Sequence, residues 1–259
     1  MTILEEIISG KKKEVAERKK HTSLRDLEKS MFFSGETLSL RQSLKDPAKT
    51  GIIAEFKRKS PSKGVINSLA DVRYVTTGYA SEGASGLSVL TDNKFFGGSI
   101  DDLMIARKFN SIPVLRKEFI IDEFQIIESK AYGADAVLLI GAALESKEVF
   151  RFAGLSHSLG MEVILEVHSM SELELMNEHI DIIGVNNRDL RTFSVDLNIS
   201  VKIAEMIPGQ FLKISESGIS SPSTVRYLRQ SGYDGFLIGE HFMKTEDPVS
   251  AFSAFNQMV

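Results

Sequence analysis

The chain has 259 residues, which is enough for one large domain or two small ones. Hydrophobic residues make up 42% and charged residues 25%, which is typical of soluble globular proteins and excludes a disordered chain. Lys and Arg total 31 against 35 Asp and Glu, and the net charge of -4 offers no general attraction for nucleic acid. Any anion must therefore be bound locally.

The absence of cysteine excludes disulfides, thiolate zinc sites, iron–sulfur clusters and cysteine nucleophiles. The charged N-terminus lacks the apolar stretch of a signal peptide. The longest apolar run, residues 136–144, is far shorter than the roughly 18 residues that suggest a membrane span. We therefore expect a cytoplasmic protein with no membrane and no nucleic acid among its partners.

The first 50 residues are predicted to form a helical extension. Residues 1–19 have an amphipathic helical pattern, and 24–31 and 38–44 indicate one or two further helices. The basic runs 11–13 and 18–20 are interpreted as solvated helix faces. The extension is expected to pack outside the main domain or to cover one of its ends.

From residue 51 onward, short apolar runs alternate with amphipathic helical stretches. Strands are predicted at 51–56, 85–90, 112–115, 134–140, 162–167, 181–185, 211–215 and 235–239. Helices are predicted near 69–82, 99–108, 122–131, 145–159, 171–178, 197–206, 221–231 and 248–257. Strict alternation of eight strands with eight helices favours a closed (β/α)8 TIM barrel, an α/β fold, although counting alone does not show closure. No linker divides residues 51–259, and residues 1–259 are interpreted as a single barrel domain with an extension at 1–50.

The segment after the first predicted strand carries the first candidate site residues. Glu55 and Lys57 share parity, so their side chains point to the same face of the strand at its C-terminal end. Burying two charges is costly unless they pair or bind something. A structural salt bridge would satisfy them, but barrel active sites lie at this face.

Polar side chains also follow four later strands. They are Lys117, Glu166, Asn186 with Arg188, and Glu216. Since strand ends converge at the mouth of a barrel, these residues would together supply acids, bases and anion-binding cations. Glycines follow the last two strands in Ser217-Gly218 and in Leu237-Ile238-Gly239-Glu240, where backbone N–H groups can approach an anion. With Ser60 nearby, a phosphate monoester is the predicted ligand.

Other site chemistries are not indicated. The five histidines have no metal-ligand spacing, and His168 after a predicted strand is interpreted as structural or surface-exposed. Neither a Walker loop nor a dinucleotide-binding glycine motif is present. We therefore expect no metal and no cofactor.

Six segments together resemble the indole-3-glycerol phosphate synthase family over nearly the whole chain. They are IAEFKRKSPSKG, LRKEFI, ILEVHS, GVNNRDL, ISESGI and FLIGEHFM. The resemblance implies a carboxy-lyase of tryptophan biosynthesis that closes the indole ring. Its substrate would be 1-(2-carboxyphenylamino)-1-deoxyribulose 5-phosphate, which loses carbon dioxide and water.

The resemblance also implies roles for individual residues. Lys117 would be the general acid and Glu166 the base of the dehydration, with Glu55 and Asn186 orienting the intermediate. Glu216 would position Lys57 or the sugar hydroxyls. The residues implied in substrate binding are Lys57 and Arg188 for the carboxylate, Phe119 for the aromatic ring, and Ser60, Ser217, Gly218, Leu237, Gly239 and Glu240 around the phosphate. Some relatives have Ser at the position of Glu240.

Three other kinds of barrel protein fit the sequence less well. Phosphoribosylanthranilate isomerase is a shorter barrel that uses a Cys base, and this chain has no cysteine. The tryptophan synthase α chain lacks the EFKRKSPS segment, which this chain has. A catalytically silent phosphosugar sensor would not be expected to keep Lys117, Glu166 and Glu55. The sequence otherwise suggests a monomer that acts on a small phosphosugar-anthranilate substrate.

Overall fold

The structure is a computed structural model that describes residues 2–190 and 192–259. In this part of the chain, eight parallel strands close a barrel. They are β1 Ile52–Phe56, β2 Gly86–Leu90, β3 Val114–Lys117, β4 Ala136–Ile140, β5 Glu162–Val167, β6 Ile182–Asn186, β7 Leu212–Glu216 and β8 Gly235–Ile238. Closure is made at β1, where Ile53 lies opposite Gly86 on one side and Leu237 on the other. The predicted closed barrel is confirmed.

Helices cover the outside of the barrel and precede it. They are α1 Ile3–His21, α2 Leu24–Glu28, α3 Leu40–Leu44, α4 Val72–Ser81, α5 Asn93–Phe96, α6 Ile100–Phe109, α7 Glu123–Ala131, α8 Ser146–Ser158, α9 Asn198–Ala204, α10 Pro222–Gln230, α11 Glu240–Met243 and α12 Pro248–Asn256. Short 3₁₀ turns occupy Gly141–Ala143 and Met170–Leu175. A small antiparallel hairpin of Lys59–Ser60 with Gly64–Val65 follows β1.

The α-helix predicted at 171–178 is wrong in type and length. The segment forms the 3₁₀ turn 170–175, held by bonds from Glu172 N to Ser169 O and from Met176 N to Leu173 O. Leu173 and Leu175 both pack on the core. Residues two apart do not share a face of a regular α-helix, so the tighter turn buries both.

The two-residue period of the strands divides the interior into an apolar floor and a polar mouth. Inward-facing Ile53, Leu115 and Ile164 are fully buried and belong to one apolar cluster. Two residues further along their strands, at the carboxyl ends, the same face carries Glu55, Lys117 and Glu166. The outward-facing residues form the larger core between the sheet and the helices. Strand parity therefore places the charged side chains at the mouth.

The N-terminal extension covers both ends of the barrel. Leu40 and Leu44 of α3 are buried in the apolar floor, where glycines 86 and 235 leave room for them. At the opposite end, Ile3, Leu4 and Ile7 of α1 line the cavity at the mouth. The expectation that one end would be covered is therefore too narrow. Within the described residues, no helix is both long and apolar enough to cross a membrane.

Candidate active site

A cavity of about 490 Å³ opens at the carboxyl ends of the barrel strands. All of the residues predicted for the site line it: Glu55, Lys57, Ser60, Lys117, Phe119, Glu166, Asn186, Arg188, Glu216, Ser217, Gly218, Leu237, Gly239 and Glu240. The barrel thus brings together side chains that are up to 185 residues apart in the sequence, as Glu55 and Glu240 are.

Lys117 at the end of β3 is held between two carboxylates. Its Nζ donates to Glu166 Oε2 at 2.7 Å and to Glu216 Oε2 at 2.5 Å. Burial by itself would lower the pKa of Lys117, but the carboxylates of Glu166, Glu216 and Glu55 raise it above its ordinary value. The ammonium group is therefore firmly protonated in the free site.

The two carboxylates around Lys117 differ in their protonation. Burial raises the pKa of Glu216 to about 7, with the negative charges of Glu166 and Glu55 adding to the effect of burial. Burial also opposes ionisation of Glu166, but the Lys117 ion pair and the Asn186 hydrogen bond lower its pKa to about 2. Glu166 is therefore the ionised member of the pair near neutral pH, while Glu216 readily holds a proton.

Lys57 pairs with Glu55 rather than with Glu216. Its Nζ lies 2.6 Å from Glu55 Oε1, as their shared parity predicts. The other Glu55 oxygen accepts a bond from Ser88 Oγ at 3.4 Å. The implied positioning of Lys57 by Glu216 is not what this structure shows, because the side chain of Glu216 is engaged by Lys117.

Asn186 and Arg188 extend the site across the mouth. The Nδ2 of Asn186 donates to Glu166 Oε1 at 3.1 Å, and its Oδ1 accepts from Arg188 N at 3.0 Å. The Arg188 guanidinium lies 3.4 Å from Ser62 Oγ and 3.6 Å from Glu240 Oε2. Arg188 therefore connects the hairpin after β1 with the start of α11, leaving its charge at the cavity wall.

A sharp turn after β7 forms another wall. Ser217 and Gly218 have φ values of 69° and 73°, a conformation that is unusual for serine. Buried Asn187 supports the turn by donating to the carbonyl oxygens of Glu216 and Ser217 at 3.0 and 3.1 Å. The turn is thus fixed by side chains that sequence reasoning did not identify.

Two glycines make space for the carboxylates. A Cβ at Gly239 would lie 2.6 Å from Glu55 Oε1, and a Cβ at Gly184 would lie 2.4 Å from Glu216 Oε1. Gly239 was predicted as a backbone contact for phosphate, and the structure gives it a second reason to be glycine. Gly184 was missed because a glycine within a strand carries no sequence signal for the side chain it accommodates.

An apolar wall faces the charged cluster. The ring of Phe119, beyond β3, lies 6.0 Å from that of Phe96 on α5, centroid to centroid. Asp92 caps α5 and places Phe96 in this wall. Phe96 was missed, although the aromatic pair Phe95-Phe96 in the segment that follows the predicted strand 85–90 is a signal that could have identified it.

The interpretation of Lys11 as part of a solvated face is wrong. Lys12 and Lys13 are exposed, but Lys11 is 1% exposed. Its Nζ lies 3.0 Å from both Asp92 and Glu118, and 2.8 Å from Glu14. Asp92 caps the helix that carries Phe96, and Glu118 directly precedes Phe119, so Lys11 attaches α1 to the apolar wall.

The described residues 2–190 and 192–259 contain no group of three or more His, Asp or Glu side chains arranged to hold a metal ion. The expected absence of a cofactor stays a prediction.

These features define a (β/α)8 barrel with a polar site at the carboxyl ends of its strands, covered on one side by an N-terminal helix. Solved barrels resemble it in fold: the α subunit of tryptophan synthase from Legionella pneumophila is 15% identical, with a TM-score of 0.60 over 85% of this chain and 95% of that one. The 3-hexulose-6-phosphate synthase of Salmonella typhimurium is 14% identical, with a TM-score of 0.63 over 80% and 97%.

Sequence comparison identifies the family. The sequence profile of indole-3-glycerol phosphate synthase matches residues 4–255. The indole-3-glycerol phosphate synthase of Bacteroides thetaiotaomicron is 46% identical over 98% of this chain and 97% of its own length. That of Thermoanaerobacter pseudethanolicus is 42% identical over 98% and 96%. The chain belongs to the indole-3-glycerol phosphate synthase family, and is a decarboxylating lyase of tryptophan biosynthesis that binds a phosphosugar-anthranilate substrate.

Proposed function

We propose that Lys117 is the general acid of the ring closure. The substrate carbonyl oxygen gains a proton as the aromatic carbon attacks the carbonyl carbon, and a firmly protonated ammonium group at the cavity wall suits that step. Glu166 and Glu216 hold the Lys117 ammonium in place from two sides. The pairing of the Lys117 ammonium group with two carboxylates is the observation that carries the proposal.

Glu166 is proposed as the base of the dehydration. It is ionised while Lys117 is charged, and Asn186 fixes its second oxygen. Once Lys117 has given its proton to the substrate, the interaction that stabilises the Glu166 carboxylate weakens and its basicity rises. Glu55 and Asn186 would orient the intermediate, and Glu216 would position Lys117 rather than Lys57.

Substrate binding is proposed to use three groups of residues in the cavity wall. Lys57 and Arg188 hold the carboxylate until it leaves as carbon dioxide, because preorganised cations stabilise the charge before it moves into the ring. Phe119, with Phe96 beside it, packs on the aromatic ring. The residues proposed around the phosphate are Ser60, Ser217, Gly218, Leu237, Gly239 and Glu240.

We further propose that the protein works as a monomer in the cytoplasm and needs no metal or organic cofactor. Light scattering on a size-exclusion column tests the monomeric state, and assays run in EDTA test whether the activity needs a metal. Inactivation by EDTA that a divalent metal reverses would contradict the proposal.

The role of Glu166 is tested with Glu166→Gln in a single turnover. Substrate labelled in its carboxylate reports carbon dioxide release, and indole fluorescence reports the completed ring. We expect carbon dioxide release to precede indole formation, which should slow by about 10²- to 10⁴-fold. Glu174→Gln, at an exposed position, is the control. Indole formation at the wild-type rate, or loss of both signals together, would remove Glu166 from the dehydration step.

A further inference from the structure

His168 lies directly beyond β5, two residues after Glu166, and the mechanism above does not use it. Its side chain is 12% exposed. One ring nitrogen, Nε2, lies 3.4 Å from Glu166 Oε1, and the other, Nδ1, lies 3.6 Å from Glu172 Oε2. The imidazole therefore stands between an active-site carboxylate and a second carboxylate outside the catalytic cluster.

Glu172 forms the outer end of this line of groups. Its Oε2 accepts the backbone N–H of His168 at 3.0 Å, and its Oε1 accepts Ser169 Oγ at 3.0 Å. Its side chain is 19% exposed, against 4% for Glu166. The 3₁₀ turn 170–175 thus holds a partly exposed carboxylate against the ring of His168.

The charged groups around His168 favour its protonated form. Burial alone would lower the pKa of the imidazole, but Glu172, Glu166 and, at longer range, Glu216 together raise it. Lys117 faces the far side of Glu166 and is paired with it at 2.7 Å. A continuous series of titratable groups therefore runs from Glu172 through His168 and Glu166 to Lys117.

The proton balance of the reaction requires that a proton be taken up from solvent. The departing carbonyl oxygen gains two protons and leaves as water, and one proton is returned from a carbon of the forming ring. The carboxylate leaves as neutral carbon dioxide, and the electron pair of its bond stays in the ring. Each turnover therefore takes up one proton from solvent, although Lys117 and Glu166 are nearly buried.

We propose that His168 relays this proton from Glu172 to Glu166, from which it reaches Lys117. The relay acts through Glu166 and rests on the acid and base roles proposed above. In each transfer, the protonated imidazole gives the proton on Nε2 to Glu166 and becomes neutral, and Glu172 then passes it a proton taken up from solvent. The ring flips or exchanges its tautomer to reset, and no other reactant is needed.

The relay is tested with His168→Ala, whose truncated side chain leaves room for free imidazole. We expect kcat to fall about 10- to 100-fold with KM within twofold, since the substrate-contacting groups remain. Added imidazole should restore at least half of the lost kcat. The solvent deuterium isotope effect on kcat should rise in the variant and fall again with imidazole, because proton transfer becomes rate-limiting.

The matched control is His157→Ala. His157 is also paired with a carboxylate, since its Nε2 lies 2.7 Å from Asp181 Oδ2, but Asp181, unlike Glu166, does not line the cavity. Added imidazole should not change the kcat of His157→Ala. His168→Gln and Glu172→Gln provide second variants that keep polar side chains, and both should lower kcat with KM unchanged.

The proposal is overturned if the soluble, folded His168 variants keep kcat within twofold of wild type. It is also overturned if kcat falls but added imidazole does not restore it and the solvent isotope effect is unchanged, which would make the role of His168 purely structural. Normal His168 variants beside an inactive Glu166→Gln would remove only the relay. A fully active Glu166→Gln would instead remove the roles on which the relay rests.

Discussion

Lys117 at the end of β3 donates to Glu216 at the end of β7, with Nζ and Oε2 2.5 Å apart across the mouth of the barrel. The pair belongs to a cluster of two lysines and three glutamates, which would carry a net charge of −1 if every group were ionised. Burial, together with the negative charges of Glu166 and Glu55, raises the pKa of Glu216 to about 7, and a proton on Glu216 makes the cluster neutral.

This raised pKa predicts a pH-dependent stability. Because the folded state binds the Glu216 proton more tightly than the unfolded state, the resulting stabilisation is present below about pH 4.5 and is lost as the pH rises through about 7. Glu216→Gln lacks this loss. Its melting temperature relative to wild type should therefore increase by roughly 5 °C between pH 5 and pH 8.

Thermal melts of both proteins across this range measure the difference. Glu166, whose pKa is about 2, stays ionised between pH 5 and pH 8 and does not contribute to the difference. Exposed Glu205→Gln is the control and should show a constant offset. A pH-independent difference for Glu216→Gln would mean that Glu216 is ionised throughout.

Gly239→Ala should impair both substrate binding and turnover. The added Cβ would lie 2.6 Å from Glu55 Oε1 and displace the carboxylate that holds Lys57. Misplacement by about 1 Å can cost roughly 10²-fold, so we expect a similar loss in kcat/KM. Gly209→Ala, with nothing within 4 Å of its Cβ, is the control. Steady-state kinetics with unchanged parameters would show that Glu55 tolerates displacement.

Glu240→Gln should strengthen the binding of inorganic phosphate as a competitive inhibitor. The carboxylate lies 3.6 Å from the Arg188 guanidinium and offsets the positive charge that an anion would meet. Removing one partly exposed charge changes binding by about threefold to fivefold. Exposed Glu178→Gln, which does not line the cavity, should leave the inhibition constant unchanged. The same constant in both variants would place the phosphate away from Glu240.

Two deletions separate the roles of the N-terminal extension. A chain lacking residues 2–22 loses α1 and should keep a cooperative melt while binding substrate more weakly, because Ile3, Leu4 and Ile7 line the cavity. A chain starting at Thr50 also loses Leu40 and Leu44 from the barrel floor. The cavity left by one buried leucine lowers the free energy of unfolding by about 2–5 kcal/mol, so the chain starting at Thr50 should lose its cooperative melt.

Thermal melts and substrate titrations check these expectations. A cooperative melt of the shorter chain at the full-length temperature would show that α3 is dispensable. Normal kinetics after removal of residues 2–22 would exclude α1 from the site.

The barrel and its charged mouth could be predicted because they depend on local patterns. Alternating runs gave the strands, and parity placed Glu55 beside Lys57. Lys11 lies four residues from both Ile7 and Val15, so the helical period places it on the buried face of α1 and separates it from Lys12 and Lys13. Its carboxylate partners Asp92 and Glu118, far along the chain, could not be predicted in this way. The partners of long-range pairs are fixed by the barrel's closure rather than by sequence neighbours.

The same limit applies to pairing within the site. Glu216 could have served Lys57 or Lys117, and only the positions of β1, β3 and β7 around the barrel decide between them. His168 likewise gains its significance from Glu172, which depends on a 3₁₀ turn where a helix was expected.

The central claim is that the Lys117 ammonium drives ring closure, and a single turnover of Lys117→Met followed by indole fluorescence tests it most directly. Methionine keeps the length of the side chain and removes its charge. With exposed Lys147→Met as control, a thermal melt to confirm folding and phosphate inhibition to confirm binding, we predict that indole formation slows by about 10³-fold or more. A rate within tenfold of wild type in a folded, phosphate-binding variant would contradict the account.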